Sequence, residues 1–272
     1  MTLTPRQQRE IDYHRAYAAG KETERLKPVN FDVIEDDRRR PHNAFWSAYD
    51  RLLAHDLRNK RVLVPGCGFG EDAIRLARLG AIVAAFDISP EVLDIARRRC
   101  ADFGYSGVTF SAMPCEALSF PDHSFDIVFF IDILHHVDIP KSVAEIVRVL
   151  KPGGRIIGNE LYTHSFLQKN IRESWLVDKA LYGAMKKFIY GDDRPYITAD
   201  EHKIDEREFA HLENACASFD AAWFNAFVGR LVPDKSTAAS RLDRGMMKLL
   251  GRSGRFAAGR VVFEGVVGAA LQ

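Results

Sequence analysis

Apolar runs and helical periodicities alternate through the middle of the chain. Residues 62–64, 81–86, 108–113, 125–131 and 155–159 read as strands, and several are continuous apolar runs of the kind found in sheets covered on both faces. Helical spacing fills the gaps at 43–57, 71–79, 90–103 and 140–150; in the first of these Ala44, Phe45, Ala48, Tyr49, Leu52 and Leu53 share one side. The punctuation agrees. Gly80 stands where a helix C-cap is needed, and Ser89-Pro90 supply an N-cap and a first-turn proline. A helix cannot run through Pro152, and Gly153-Gly154 permit a sharp reversal into the next strand. Alternating strands and helices imply right-handed βαβ units wound on both faces of one sheet, an α/β architecture.

The flanks are less regular. Residues up to about 40 are polar with scattered aromatics at Tyr13, Tyr17 and Phe31, read as a helix and an irregular lead-in. Tyr13 and Tyr17 lie four apart on one helical face, as a packing stripe or as a flap over a ligand. Beyond the fifth strand, Tyr162, Trp175, Tyr182, Phe188 and Tyr190 are interspersed with basic residues. Residues 204–216 read as a helix, 219–227 as an edge strand and 261–271 as the last strand. Between them 240–250 form a short helix with Arg241, Arg244 and Lys248 on its polar side. Leu242, Met246, Leu249 and Leu250 form an apolar side expected to pack on the sheet, with membrane-surface docking as the alternative. The implied organisation is a helical cap over 1–57, a ligand-binding core over 58–160, a lid or acceptor insertion over 161–203, and a C-terminal completion of the sheet over 204–272.

The 272 residues, 47% hydrophobic and 28% charged, suit a soluble globular chain with one large domain. A net charge of +1 gives no global field for nucleic acid, and the runs at Arg38-Arg39-Arg40 and Arg97-Arg98-Arg99 read as solvated faces. Four cysteines without C-x-x-C pairing or histidines at zinc spacing read as reduced thiols of a cytoplasmic protein. Residues 1–10 are polar and charged, so no secretory leader is expected, and no apolar run approaches membrane-spanning length.

Chemistry concentrates where the first strand ends. Val62 to Pro65 turn into Gly66-Cys67-Gly68-Phe69-Gly70, and a helix follows at once. Glycines at alternate positions let a ligand lie against bare main chain, next to the free amides of a helix start. A dinucleotide fingerprint would need a third glycine at position 71, and a P-loop a Lys-Ser/Thr pair; Glu71-Asp72 stand there instead. That acidic start suits a ligand with a cationic end. The second strand ends in Asp87, which a parallel sheet places beside the glycine loop, where its carboxylate can accept hydrogen bonds from both hydroxyls of a ribose.

This G-x-G-x-G loop with an acidic residue closing the next strand resembles the nucleoside-binding loop of class I S-adenosylmethionine-dependent methyltransferases. Phe125-Asp126-Ile127-Val128, then Leu134-His135-His136, then Leu150-Lys151-Pro152-Gly153-Gly154 follow in the order familiar from the small-molecule members of that family. The resemblance covers roughly residues 60–160. It implies a Rossmann-like seven-stranded sheet closed by a C-terminal antiparallel hairpin, with a helical lid insertion, and S-adenosyl-L-methionine as cofactor. Carried onto this chain, it places Gly66, Cys67, Gly68, Gly70, Asp87, Ile88, Cys115, Glu116 and Ile131 around that cofactor. Pro114 stands where the family usually has an aspartate, so the adenine contact passes to Glu116 or to the Cys115 backbone.

Candidate catalytic groups are His135 and His136 after the fourth strand and Glu160 after the fifth, each expected to face the ligand crevice as a base or a structural partner. The catechol-type Asp, Asp, Asn metal set and the Pro-Pro-Tyr signature of base-amine methylation are missing from the sequence, so no metal is expected. The implied acceptor is a small or lipidic metabolite methylated at oxygen, nitrogen or carbon; no nucleic acid and no integral membrane span are expected, and peripheral membrane contact stands only as the alternative role of the 240–250 helix. Two alternatives stand beside this: a non-catalytic S-adenosylmethionine-binding scaffold, favoured by Pro114, and a nicotinamide-dependent oxidoreductase, disfavoured by Glu71.

Overall fold

The computed structural model of the chain describes residues 3–167, 203–228, 232 and 236–268. Seven strands form one sheet: β1 Arg61–Pro65, β2 Ile82–Asp87, β3 Thr109–Ala112, β4 Phe125–Ile131, β5 Leu150–Leu161, β6 Ser218–Phe224 and β7 Arg260–Val266. Their order across the sheet is β3-β2-β1-β4-β5-β7-β6. The first five are mutually parallel, while β7 runs antiparallel to both β5 and β6. The expected doubly wound sheet with a closing antiparallel hairpin is therefore the fold of this chain.

Among the described residues seven longer helices pack around it: α1 Pro5–Ala18, α2 Ala44–Leu53, α3 Glu71–Arg78, α4 Pro90–Asp102, α5 Ile139–Val149, α6 Glu206–Ala215 and α7 Thr237–Leu250, with shorter helical segments between them. Side chains alternate across the strands into two cores. Leu63, Phe86, Val128 and Ile156 face one, with α5 and α6; Val62, Val64, Phe129 and Ile157 face the other, with α2 and α3. Burial of each such side chain contributes about 1.5–3 kcal/mol, which fixes the register of every strand. The Lys151-Pro152-Gly153-Gly154 turn forms a break opposite Asp126, where the β4–β5 register shifts, so β5 begins at Leu150, earlier than expected. The connection from β3 to β4 carries no helix.

Three local expectations are corrected. Leu242, Leu249 and Leu250 are exposed, at 69%, 89% and 41%, so the apolar side of α7 faces solvent. The buried side holds Ser240, Asp243 and Met247. The reason is hydrogen bonding: the Asp243 carboxylate accepts from the amides of Ala226, Phe227 and Val228 at 2.8–3.1 Å, and Arg244 donates to Trp223 O while lying over the Phe224 ring. The same contacts end β6 at Phe224, short of the expected 227. Arg99 is also not solvated; it is 1% exposed and bound to Glu71 at 2.8 Å and to Lys27 O at 3.2 Å. Residues 168–202, most of the expected lid, lie outside the described residues.

Candidate active site

The glycine loop owes its shape to close packing. Gly66 has φ +54°, which favours glycine, and a Cβ there would lie 1.9 Å from Ile133 Cδ1, so a side chain would have to push that of Ile133 aside. Gly68 has φ +49°, but a Cβ built on it would meet only open space. That is the geometry of a cradle, in which bare backbone borders a void. Gly68 N–H donates to Asp87 Oδ2 at 3.1 Å, and Ser89 N–H donates to Asp87 Oδ1 at 3.1 Å. The loop and the strand-end carboxylate are thus tied directly, with Asp87 only 5% exposed. Ser89 caps α4 as expected.

A cavity of about 340 Å³ opens at this edge of the sheet. Its walls are Gly66, Gly68 and Phe69 from the loop, Phe86, Asp87 and Ile88 from the end of β2, Met113 to Glu116 after β3, and Ile131 to Ile133 with His136 and Val137 after β4. Eight of the residues singled out from sequence therefore line one space: Gly66, Gly68, Asp87, Ile88, Cys115, Glu116, Ile131 and His136. Cys67 and Gly70 do not. Cys67 points into the core, where burial raises its thiol well above the usual range, and Gly70 is the N-cap of α3 at φ +81°. Cys115 does line the space, but burial pushes its thiol up to about 12, so it presents a neutral surface. Glu116 has Oε2 bound by Gln7 Nε2 at 3.0 Å and Oε1 by the Asp138 amide at 2.9 Å.

Two candidate catalytic groups lie elsewhere. Glu160 is fully buried; its Oε1 accepts from the Ile133 and Leu134 amides at 2.5 and 2.6 Å, and its Oε2 meets His135 Nδ1 at 2.9 Å. His135 is 3% exposed. The pair is a post beneath the loop that carries His136, and neither residue lines the cavity. Asp132, His135 and Glu160 bring potential ligand atoms within 4.8 Å of one another. Arg260, however, binds both oxygens of Asp132 at 2.8 Å, and a guanidinium at that position opposes a cation. The acidic helix start is also otherwise engaged. Glu71 and Asp72 bind the buried Arg75 at 2.9 and 2.8 Å, and Glu71 also holds Arg99, so neither carboxylate faces the ligand space.

The roof comes from a part of the chain whose role the pattern did not specify. Helix α1 lays Gln7, Glu10, His14 and Tyr17 over the cavity. Glu10 Oε2 lies 3.5 Å from His136 Nδ1 and 3.7 Å from His14 Nε2. Tyr17 stacks on Phe69 of the glycine loop at 5.8 Å, which accounts for half of the Tyr13/Tyr17 pair. Only that aromatic spacing hinted at a flap. The polar members signal only a helix start, through the Thr4–Gln7 capping box, because the cavity partner of Gln7, Glu116, lies about a hundred residues away.

A doubly wound seven-stranded sheet with a cavity joining a glycine loop to a carboxylate at the end of β2 defines a class I S-adenosylmethionine-dependent methyltransferase fold. Residues 63–158 match the family profile described as a methyltransferase domain, and that domain is what this part of the chain is. The chain is similar to a demethylmenaquinone methyltransferase of Tropheryma whipplei, 40% identical over 99 residues that cover 36% of this chain and 40% of the relative. It is also similar to a ubiquinone biosynthesis O-methyltransferase of Methylocella silvestris, 34% identical over 131 residues, 48% of this chain and 51% of the relative. The match thus spans about half or less of these relatives. Among solved structures, the geranyl diphosphate C-methyltransferase of Streptomyces coelicolor A3(2) shares the fold, with a TM-score of 0.58 at 15% identity over 99% of this chain and 100% of that one.

Proposed function

We propose that the chain is a methyltransferase that moves the methyl group of S-adenosylmethionine to a small or lipidic acceptor. The observation that carries this reading is the hydrogen bond that ties the Gly68 amide to Asp87 at the floor of one cavity. Asp87 spends one lone pair of each oxygen on a backbone amide and keeps the others for the two hydroxyls of a ribose. Gly68 leaves the space a side chain would fill, and Ile88 and Met113 offer apolar surface for an adenine face. Glu116 and the backbone at Cys115 border the same wall. Glu10, Asp87 and Glu116 give the cavity an acidic lining suited to a sulfonium, a part the sequence had given to Glu71.

When bound, the cofactor supplies an electrophilic methyl carbon, to which an acceptor lone pair bonds as the carbon–sulfur bond breaks, leaving S-adenosylhomocysteine. Alignment and exclusion of water account for much of the rate in such a displacement, and the α1 roof provides the exclusion. An acceptor hydroxyl, amine or acidic carbon must also lose a proton. His136 takes that role in this proposal, with Glu10 at 3.5 Å to stabilise the imidazolium that forms. The quinone methyltransferases among the relatives favour a lipidic acceptor, and the exposed edge of α7 around Leu242 and Leu249, flanked by Arg241 and Lys248, suits contact with a lipid surface.

Thermal shift with S-adenosylhomocysteine against nicotinamide cofactors, followed by turnover of labelled S-adenosylmethionine on a panel of quinols and phenolic lipids, tests the reading. Stabilisation by S-adenosylhomocysteine alone and a labelled product are expected. Binding without any product would favour the scaffold alternative. His136→Ala is expected to lower kcat by about a hundredfold or more while the affinity for S-adenosylhomocysteine changes little.

A further inference from the structure

On the far side of Asp132 lies a second cavity, of about 250 Å³, that nothing above employs. Asp132 belongs to both walls, so the two spaces adjoin at that residue. That residue is fixed: it has φ +59°, its amide donates to Asn159 O at 3.0 Å, and its carboxylate is neutralised by the bidentate Arg260. The second cavity is also lined by His42, Ala44 and Phe45. Ala44 and Phe45 open the ten-residue helix α2, at positions whose amides have no intrahelical acceptor, while the next amide, of Trp46, is taken by Asn43 Oδ1 at 3.2 Å. His42 is 9% exposed, and its Nε2 is buried without a hydrogen-bond partner. A buried imidazole nitrogen left without a partner costs free energy unless a ligand supplies one.

We propose that this cavity seats an anionic group, a carboxylate or phosphate, carried by the methyl acceptor, with the Ala44 and Phe45 amides and His42 Nε2 as donors. The inference rests on the methyltransferase reading and narrows its acceptor class. The helix start contributes partial positive charge, and Arg260 cancels the nearby carboxylate. Arg39 and Arg241 add positive field; after burial itself, they are what lowers the His42 pKa. An anion one residue beyond Asp132 leaves the rest of an acceptor free to extend toward the cofactor cavity.

Inorganic phosphate is the probe, titrated at constant ionic strength into protein saturated with S-adenosylhomocysteine and followed by amide and imidazole NMR shifts. Saturable shifts confined to His42, Ala44 and Phe45 are expected. His42→Ala should weaken phosphate at least about fivefold, and His42→Gln, which keeps a side-chain donor, should restore part of the loss. Ala44→Pro removes one amide at a position where proline suits a helix start; Asn43 before it is already extended, at φ −116° and ψ 126°. Each variant should bind S-adenosylhomocysteine like the wild type, which shows that it is folded. In a separate arm, the product labelled from a protein-free cell extract should be retained by an anion-exchange resin at neutral pH. Absence of localised shifts, or equal phosphate binding by all variants, overturns the seat. A seat that forms while the labelled product is uncharged overturns its assignment to the acceptor. Failure to bind S-adenosylhomocysteine, or binding without turnover, is a different result: it removes the methyltransferase reading and this inference with it.

Discussion

Asp87 shows how much one side chain can be asked to do. It closes β2, orders the glycine loop through Gly68 and starts α4 through Ser89, all while 95% of its surface is withdrawn from water. Asp87→Asn keeps the volume but removes the charge, and one oxygen becomes a donor that faces an amide donor. Affinity for S-adenosylhomocysteine should fall by about tenfold to a hundredfold, the size of a lost charge-assisted hydrogen bond, as read by calorimetry. Retained affinity would place the ribose elsewhere. This residue was legible because two simple facts converge on it: ligands gather at the carboxyl ends of parallel strands, and few other reasons put a carboxylate there. Glu160 satisfies the same two facts yet lies outside the cavity, enclosed by protein partners. Its position at the end of β5 was readable, but the two amides and the imidazole that claim it come from a loop whose path the pattern does not encode.

Among the elements, the strands of the central sheet were the most legible, since residues buried on both faces leave an uninterrupted apolar run. Helix α7 was read with its faces reversed, because Asp243 is buried and Arg244 half-buried by virtue of partners in the loop after β6 and on β6 itself rather than by their own chemistry. Asp243→Ala should therefore cost about 2 kcal/mol in urea unfolding, from one buried and two partly buried amides left without an acceptor, and should speed hydrogen exchange at Ala226, Phe227 and Val228. Leu249→Ala on the exposed side should cost less than about 0.5 kcal/mol. Helix α5 offers a pH test. Glu145 is held below its ordinary 4.5 first by the side chain of Arg148, against the opposing effect of burial, and also accepts from the Leu118 amide at 2.7 Å. A carboxylate lowered in the folded state stabilises above its unfolded pKa, and the contribution is lost as pH falls through the folded value. Wild type should thus exceed Glu145→Gln by about 1 kcal/mol at neutral pH, and the gap should close as pH falls below the ordinary glutamate range.

At the scale of the whole molecule, the site is assembled from a sheet that folds by hydrophobic burial and a roof that docks by polar contacts. Of the α1 side chains that are buried, Gln7 and Glu10 are polar, and only Ile11 and Ala18 are apolar. Its other ties include the Glu10–His136 contact at 3.5 Å, the Gln7–Glu116 hydrogen bond, the Tyr17–Phe69 stack and the Arg15–Glu91 pair at 2.7 Å, whose partners are 54% and 36% exposed. Exposed pairs of this kind contribute about 1 kcal/mol at most. The roof is therefore held far more weakly than the sheet, as a cover that must admit a ligand should be. A chain lacking residues 1–20 should keep its urea midpoint close to that of the intact protein, because neither main core contains a residue of α1. Its affinity for S-adenosylhomocysteine should nevertheless fall by about tenfold, since four of the side chains around the cavity leave with the helix. Full affinity in the shortened chain would mean that the roof is not part of the site, and a collapse of stability would mean that it belongs to the core.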